Sequence, residues 1–304
     1  MDIAQILANS LVRASELSLL AVGLTMVFGI LKFPNVAHGD YAMLGAYFVF
    51  ALAEPLGASL LLAVPLAMIA FGLLGVGMDW AVFRPLRQRG AAVFTQLIAS
   101  MGLALLVRNV VRMIWSSETR TYDVPLSRPL EILGANIGPL EIGIIITGLV
   151  FMVAFHVGLH HTKLGKALRA ISDDPELASA CAIDTEKMIR WLWFIACAYA
   201  ALGGFMLALE HALFPRLGFN ILMPVFGAAL VGGIGNPYGA MLGALVIALA
   251  ENLVLGTDFG VLLGLGGLLD VGEVLVPTGY KPAVSFVIII LVLLLRPVGL
   301  LGRR

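Results

Sequence analysis

Three polar residues inside hydrophobic sequence are the first candidates for chemistry in this chain. Asn35, His38 and Asp40 lie in a break that follows Lys32 and ends where apolar sequence resumes at Tyr41. In a membrane, backbone groups freed by such a break survive only inside protein or along a water-lined cavity. The helix start after the break carries partial positive charge and can face an anionic group. The pattern predicts either that these residues line a substrate path or that they only satisfy the freed backbone groups.

A second break near the other end of the chain repeats the first. The segments 27–46 (VFGILKFPNVAHGDYAMLGA) and 225–244 (VFGAALVGGIGNPYGAMLGA) align without a gap, and they share VFG at the start and AMLGA at the end. Paired, interrupted hydrophobic segments in two halves of a chain point to a transporter's substrate path. We interpret them as an internal repeat and add Gly235 and Asn236 to the predicted path. The alternative is two glycine-rich helical hairpins that pack alike.

The charged segment 160–190 is the second informative stretch. Asp174, followed by Pro175 and Glu176, is a helix start, with aspartate as the N-cap, proline at the first position and an acid in the first turn. The helix predicted over 175–181 is too short and too polar to cross a membrane. It presents small residues on which another protein could dock closely: Ala178, Ser179 and Ala180. A solvated loop with one helical turn is the alternative.

Membrane-spanning helices must position these residues. The chain has 304 residues, of which 60% are hydrophobic and 12% charged, and its mean hydropathy is +1.00. Soluble domains carry about 25% charged residues, so a lipid bilayer is the solvent that suits this sequence. We predict an all-α, polytopic integral membrane protein with a single domain over 1–304. The predicted spans cover 11–31, 41–54, 59–83, 91–115, 140–159, 191–210, the second broken pair and 283–295. They number eight or nine, depending on whether 222–234 crosses fully.

Lysine and arginine in the connections predict the orientation. Basic residues cluster in a predicted loop at 84–90, in the segment 160–190 and in the tail Arg303-Arg304, whereas the polar loop 116–139 mixes both signs. We therefore expect the N-terminus outside and the C-terminus in the cytoplasm, with both broken pairs running in the same direction. A glycine-rich stretch over 256–279 precedes the last span.

Several classes of function find no support in the residues. The sequence contains no GxxxxGK[ST] loop, no HExxH motif and no paired catalytic carboxylates. The net charge is zero, which gives no basic face for nucleic acid. Cys181 and Cys197 indicate neither a disulfide framework nor a metal site, and the N-terminus is unlike a signal peptide. We expect a transport protein with no enzymatic activity, metal or cofactor of its own.

Ionisable residues inside apolar spans are functional candidates by default. They are Glu16, Asp40, Asp79, Arg108, Glu210 and Glu251. Asp79 and Glu210 lie near span ends, where they can reach lipid headgroups, and Arg108 can extend outward in the same way. We interpret these residues as scattered singles, which argues against a proton-coupled carrier.

Four stretches together carry the signatures of a known family. The first comprises 23–29, NVAHGD at 35–40 and MLGAY at 43–47; the second runs from Thr162 through Arg169-Ala170 to Ile183. The third is VGGIG at 231–235, and the last is RPVGL at 296–300. These four stretches extend over nearly the whole chain. In them the chain resembles permease subunits of bacterial ABC importers of the branched-chain amino acid type. It departs from the family pattern at Pro34, at Ala182, where glycine is usual, and at 235–237.

The resemblance implies a bacterial inner-membrane protein that imports branched-chain amino acids or a related small solute such as urea or an amide. It implies a second, homologous permease, two cytoplasmic ATP-binding subunits that hold ATP and Mg²⁺, and a periplasmic substrate-binding protein. The coupling residues it implies lie within 160–190: Arg169, Asp173, Asp174, Pro175, Glu176, Ala178 and Ser179. The competing hypothesis is a self-sufficient secondary transporter or channel, which fits broken repeats but needs no docking helix.

Overall fold

The computed structural model describes residues 3–124, 128–132, 134–257 and 277–302, which are almost entirely helical. The helices of the bundle are α1 (Ile3–Leu31), α2 (His38–Ala53), α3 (Leu60–Met78), α4 (Arg84–Gln88), α5 (Val93–Trp115), α6 (Pro139–His161), α7 (Lys163–Asp173), α8 (Pro175–Ala180), α9 (Thr185–Glu210), α10 (Leu217–Gly232), α11 (Pro237–Gly256) and α12 (Lys281–Leu295). A hairpin pairs β1 (Leu130–Ile132) with β2 (Ala135–Ile137) in antiparallel register. Most of the glycine-rich stretch (258–276) and both tail arginines lie outside the described residues.

Six of the described helices are long and apolar enough to cross a membrane: α1, the continuous helix Leu60–Gln88, α5, α6, α9 and α11. Three shorter apolar helices, α2, α10 and α12, have 16, 16 and 15 residues. The predicted total of eight or nine spans stays a prediction. The all-α, polytopic fold is as predicted.

Three sequence-based boundaries are wrong. Residues 84–90 are not a loop, because a π-helical turn (Asp79–Phe83) leads α3 directly into α4. Arg87 bonds the Asp79 carboxylate across that turn at 2.6 Å, so Asp79 is a buried ion-pair partner and does not reach for headgroups. The segment 116–139 is not only a loop, because it contains the β-hairpin. α1 begins at Ile3, eight residues before the expected start at 11.

α1 and α9 form the centre of the bundle. Their most apolar windows are 83% and 78% buried, whereas those of α5 and α6 are each 22% buried. The peripheral helices can expose apolar side chains because lipid is their solvent. Glycines allow close helix approach at the centre: Gly45 of α2 lies against Ala201 of α9, and Gly203 of α9 lies against Leu20 of α1.

The bundle has two distinguishable ends. The basic end carries α4, α7 and α8, and the opposite end carries residues 116–124 and the β-hairpin. α1 runs to the basic end, where Gly29 packs against Gly235. α2 runs back to the opposite end, where the Tyr122 hydroxyl donates to the Ala46 carbonyl at 2.7 Å. α10 and α11 follow the same two directions, so the broken pairs run in parallel, as the sequence predicts.

Candidate functional site

The first break is sealed by its own polar side chains. The Asn35 side chain accepts from the backbone N–H of Ala37 at 3.2 Å, and the N–H of Val36 donates to the Ser100 hydroxyl at 3.2 Å. The His38 ring Nε2 lies 2.9 Å from the Leu20 carbonyl oxygen in the middle of α1. Asn35 and His38 are buried. In this conformation Asn35 satisfies a backbone group that the break frees, and His38 fixes the start of α2 to α1. Access to either residue requires a rearrangement.

Asp40, the third polar residue of the first break, is buried in a two-pronged ion pair with Arg108 of α5. Arg108 Nε donates to one carboxylate oxygen at 3.1 Å, and Nη2 donates to the other at 3.0 Å. The guanidinium carbon also lies 5.1 Å from the centre of the Phe219 ring of α10. Arg108 therefore points into the bundle, and the expectation that it extends outward is wrong. The pair ties α2, α5 and α10 together at the start of α2.

The starts of the two short helices α2 and α10 touch each other. A Cβ atom on Gly39 would collide with the Gly218 carbonyl oxygen, and one on Gly218 would lie 2.5 Å from the Gly39 carbonyl oxygen. Only glycine permits this backbone approach. The contact places the start of α10 beside the first break.

Backbone geometry shapes the second break. Gly233 and Gly235 adopt φ values of +108° and +81°, which glycine tolerates without strain. Asn236 caps α11 by accepting from the N–H groups of Tyr238 (3.1 Å) and Gly239 (3.2 Å), and it donates to the Leu301 carbonyl at 3.0 Å. The C-terminal residues thus brace this break, a long-range role that no local signal predicted.

A cavity of ≈ 610 Å³ adjoins the second break at the basic end. We call it the basic-end cavity. It is lined by Gly235 and Asn236 of the predicted path and by Arg169 and Asp173 of the predicted coupling set. Lys32, Lys166 and His160 add further polar atoms to its wall. The structure thus brings residues from two separate sequence predictions to one place.

The short helix α8 has the predicted start. The Asp174 carboxylate accepts from the N–H groups of Glu176 and Leu177, each at 3.0 Å. The expectation that Ala178 is presented for docking is wrong, because Ala178 is 4% exposed and packs against the rest of the chain. Ser179 is exposed. The outward apolar side chain is Leu177, which is 62% exposed and which sequence reasoning missed.

A groove of ≈ 560 Å³ runs beside α8 and is lined by three residues of the predicted coupling set. Pro175, Glu176 and Ser179 line one side of it, and Arg87 and Glu186 line the other. Arg84 bonds Glu186 at 3.2 Å, which ties α4 to the start of α9. Five of the seven predicted coupling residues therefore line this groove or the basic-end cavity, whereas Asp174 and Ala178 line neither.

Three of the six ionisable residues interpreted as scattered singles, Glu16, Glu210 and Glu251, lie close together toward the opposite end. Arg13 Nη1 donates to Glu16 at 3.2 Å, and Arg13 Nε donates to Glu251 at 3.3 Å. Carboxylate and ring atoms of Glu16, Glu210 and His211 lie within 4.8 Å of one another. Burial lowers the pKa of His211, and the neighbouring Glu210 only partly offsets this effect. We call this set, with Lys281, the ion cluster.

Known proteins similar to this chain are transport proteins. The sequence model of the family described as "Branched-chain amino acid transport system / permease component" matches residues 6–293. The high-affinity branched-chain amino acid transport system permease protein BraD of Pseudomonas aeruginosa is 31% identical, over 98% of this chain and 95% of that protein. The corresponding LivH protein of Escherichia coli K12 is 29% identical, over 97% and 94%.

A more distant relative and one solved structure complete the comparison. The probable branched-chain amino acid transport permease protein LivH of Methanocaldococcus jannaschii is 28% identical, over 98% of this chain and 92% of that protein. The structure of PsaBC from Streptococcus pneumoniae in complex with Fab resembles the chain with a TM-score of 0.48 and 13% identity, over 94% of this chain and 90% of that chain. So low a score carries no argument.

Proposed function

The chain belongs to the branched-chain amino acid transport permease family, and on this premise we propose that it is the membrane subunit of an ATP-driven importer of branched-chain amino acids. The observation that carries the proposal is α8. It is a capped helix too short to cross a membrane, and it offers the exposed Leu177 beside a groove at the basic end. Such a helix suits docking of a partner protein.

In the proposed orientation, the basic end lies on the cytoplasmic side of the bacterial inner membrane. Positive charge in short connections favours that side, and the basic end carries the arginines of α4 and the lysines of α7. The N-terminus then lies outside and the C-terminus inside. Two cytoplasmic subunits, one of them docked at α8, would bind and hydrolyse ATP with Mg²⁺. This chain would hydrolyse no ATP. A second permease would complete the path, and a periplasmic binding protein would deliver substrate to the opposite end.

The contacts of α7 suggest how partner movement reaches the path. α8 follows α7 directly through Asp174, and α7 places Arg169 and Asp173 in the basic-end cavity beside Asn236. The N–H of Gly235 in turn donates to the Thr25 hydroxyl of α1 at 3.0 Å. A displacement of α8 would therefore move one wall of the basic-end cavity relative to α1. In our proposal, ATP binding shifts the population between two such arrangements.

The test combines partner recovery with transport. The tagged chain would be expressed with the second permease and the ATP-binding subunits, purified, and placed in liposomes with the binding protein. We expect L-leucine uptake that requires ATP, with urea and acetamide as competitors to define the substrate class. ATP-independent leucine uptake by the pure chain would overturn the proposal in favour of a secondary transporter or channel.

The docking role of α8 has its own variant. Leu177→Asp should reduce recovery of the ATP-binding subunits by about tenfold or more, because an exposed apolar anchor is replaced by a charge. Leu56→Asp makes the same change at a leucine that is 72% exposed at the opposite end, and it should leave recovery unchanged. Equal recovery with both variants would contradict docking at α8.

A further inference from the structure

The ion cluster and the space beside it have no role in the coupling proposed above. Part of the cluster joins helices: Arg13 of α1 bonds Glu251 of α11 at 3.3 Å, and Glu251 accepts from the Ser285 hydroxyl of α12 at 2.6 Å. Ionisable groups at membrane depth cost free energy, so they usually pair with one another or line a substrate path. Pairing between helices accounts for Arg13, Glu251 and Ser285. It does not account for the two neighbouring carboxylates, Glu16 and Glu210.

Glu16 is the residue of the ion cluster whose hydrogen bonding is incomplete. Its side chain is fully buried, and its Oε1 atom makes no hydrogen bond with any described residue. Glu210 lies within 4.8 Å of it, and two carboxylates so close in a low-dielectric site require a cation or a shared proton between them. The side chains of Glu210 and His211 are 29% and 38% exposed, so a solute can approach from the opposite end.

A cavity of ≈ 420 Å³ adjoins the ion cluster. Its polar wall includes Arg13, His211 and Lys281, and the exposed Asn220 extends it. Its apolar wall includes Leu207 and Ile221. The cavity thus offers cations and an apolar surface, and the carboxylates of Glu16 and Glu210 lie directly behind Arg13 and His211 of its wall.

We propose that the ion cluster and this cavity bind a zwitterionic amino acid with an apolar side chain on its way into the path. The ammonium group lies between Glu16 and Glu210, the carboxylate faces Arg13 and Lys281, and the side chain packs against Leu207 and Ile221. This inference rests on the proposed function and adds to it a substrate position within this chain.

Other ligand classes fit the ion cluster less well. A divalent metal ion at Glu16, Glu210 and His211 would lie close to the Arg13 guanidinium, which repels it. A simple anion would meet three carboxylates (Glu16, Glu210 and Glu251) against two permanent cations (Arg13 and Lys281). An uncharged amide would bring no positive charge to the space between Glu16 and Glu210. A zwitterion supplies both charges at once.

The test measures binding to the full chain in lipid nanodiscs, without partners or ATP. We expect saturable binding of tritiated L-leucine. We also expect 3-methylbutylamine, which lacks the carboxylate, and 4-methylpentanoate, which lacks the ammonium, each to compete at least about tenfold less well, because each loses a charge-assisted contact. Equal competition by either analogue would remove the corresponding half of the site and overturn the proposal.

Two neutralising variants locate the site. Glu16→Gln and Lys281→Gln should each weaken leucine binding by about tenfold or more, and Glu16→Gln should not weaken binding of 4-methylpentanoate. Matched controls are Glu54→Gln at the same end and Lys163→Gln at the basic end, both of which should bind leucine as the unmodified chain does. Unchanged binding by both neutralising variants would overturn the proposal.

Remaining outcomes are also decisive. If the neutralising variants fail to fold, Asn220→Trp, which fills the cavity from an exposed position, should still abolish leucine binding in a folded protein. Saturable Zn²⁺ binding that depends on Glu16, without leucine binding, would make this a cation site and refute the inference. Absence of leucine binding by the chain alone, while the assembled importer still takes up leucine with ATP, would refute the inference and leave the proposed function standing.

Discussion

The two broken segments share a sequence pattern but are built in different ways. At the first break, α2 leaves α1 and packs on α9 and α10, and buried side chains such as His38 and Asp40 close the gap. At the second break, α10 and α11 fold against each other through Gly232 and Gly239, and the break borders the basic-end cavity. A repeat in sequence therefore specifies where helices break, whereas the neighbours of each break decide whether it is sealed or open.

The largest expected effect is loss of the Asp40–Arg108 pair, which holds the sealed break. Asp40→Leu should destabilise the fold by about 3–5 kcal/mol, because Arg108 would remain largely buried without its partner. Thermal unfolding in detergent, followed by fluorescence, measures the change. The double variant Asp40→Leu/Arg108→Met should recover most of the loss, since both charges are gone. An unfolding temperature of the single variant equal to that of the parent would show that the pair does not seal the break.

The second break should be sensitive to added volume where its two helices meet. Gly243→Ala places a Cβ atom against the Ala228 carbonyl oxygen, and overpacking of this kind costs about 1–3 kcal/mol. Gly77→Ala is the matched control, because a Cβ at Gly77 meets no atom within 4 Å. Unfolding temperatures of the two variants provide the comparison. A loss of stability in the control as large as in Gly243→Ala would contradict the hairpin contact.

A smaller effect is expected from the helix cap at the second break. Asn236→Ala removes the acceptor for two N–H groups of α11 and the bond to Leu301, and cap losses cost about 1 kcal/mol. Asn236→Asp keeps the acceptor and should retain most of the stability. Because the cap also borders the basic-end cavity, uptake by the assembled importer can be measured on both variants. Equal stability of all three proteins would rule out a capping role.

The smallest effect on stability is expected from single cysteines that report whether water-soluble reagents reach each break. In a Cys181→Ser background, Ala37→Cys places a thiol at a fully buried position of the first break, and Ile234→Cys places one at a position 44% exposed at the second. A water-soluble maleimide should label only the second. Labelling of both at similar rates would show that the first break is open in the resting protein.

Local features of the chain were predictable from sequence because the determinants lie within a few residues. Apolar length marks the long spans, interruptions mark both breaks, and the Asp174-Pro175 pair marks the start of α8. The continuous helix through 84–88 was missed because Arg84-Pro85 resembles a loop signal. Proline is tolerated there because the π-helical turn just before it, Asp79–Phe83, already departs from the α-helical hydrogen-bond pattern that a proline would interrupt.

The order of residues along the chain is enough to predict a helical membrane protein with two broken segments and a short capped helix between spans. Helix packing sets which polar residues meet: Asp40 pairs with Arg108, 68 positions apart, and Arg13 pairs with Glu251, 238 positions apart. It also turned Ala178 inward and Leu177 outward. The physical reason is that lipid and protein interior are both apolar. The faces of a membrane helix therefore carry little pattern, and side-chain partners are set only when the helices pack together.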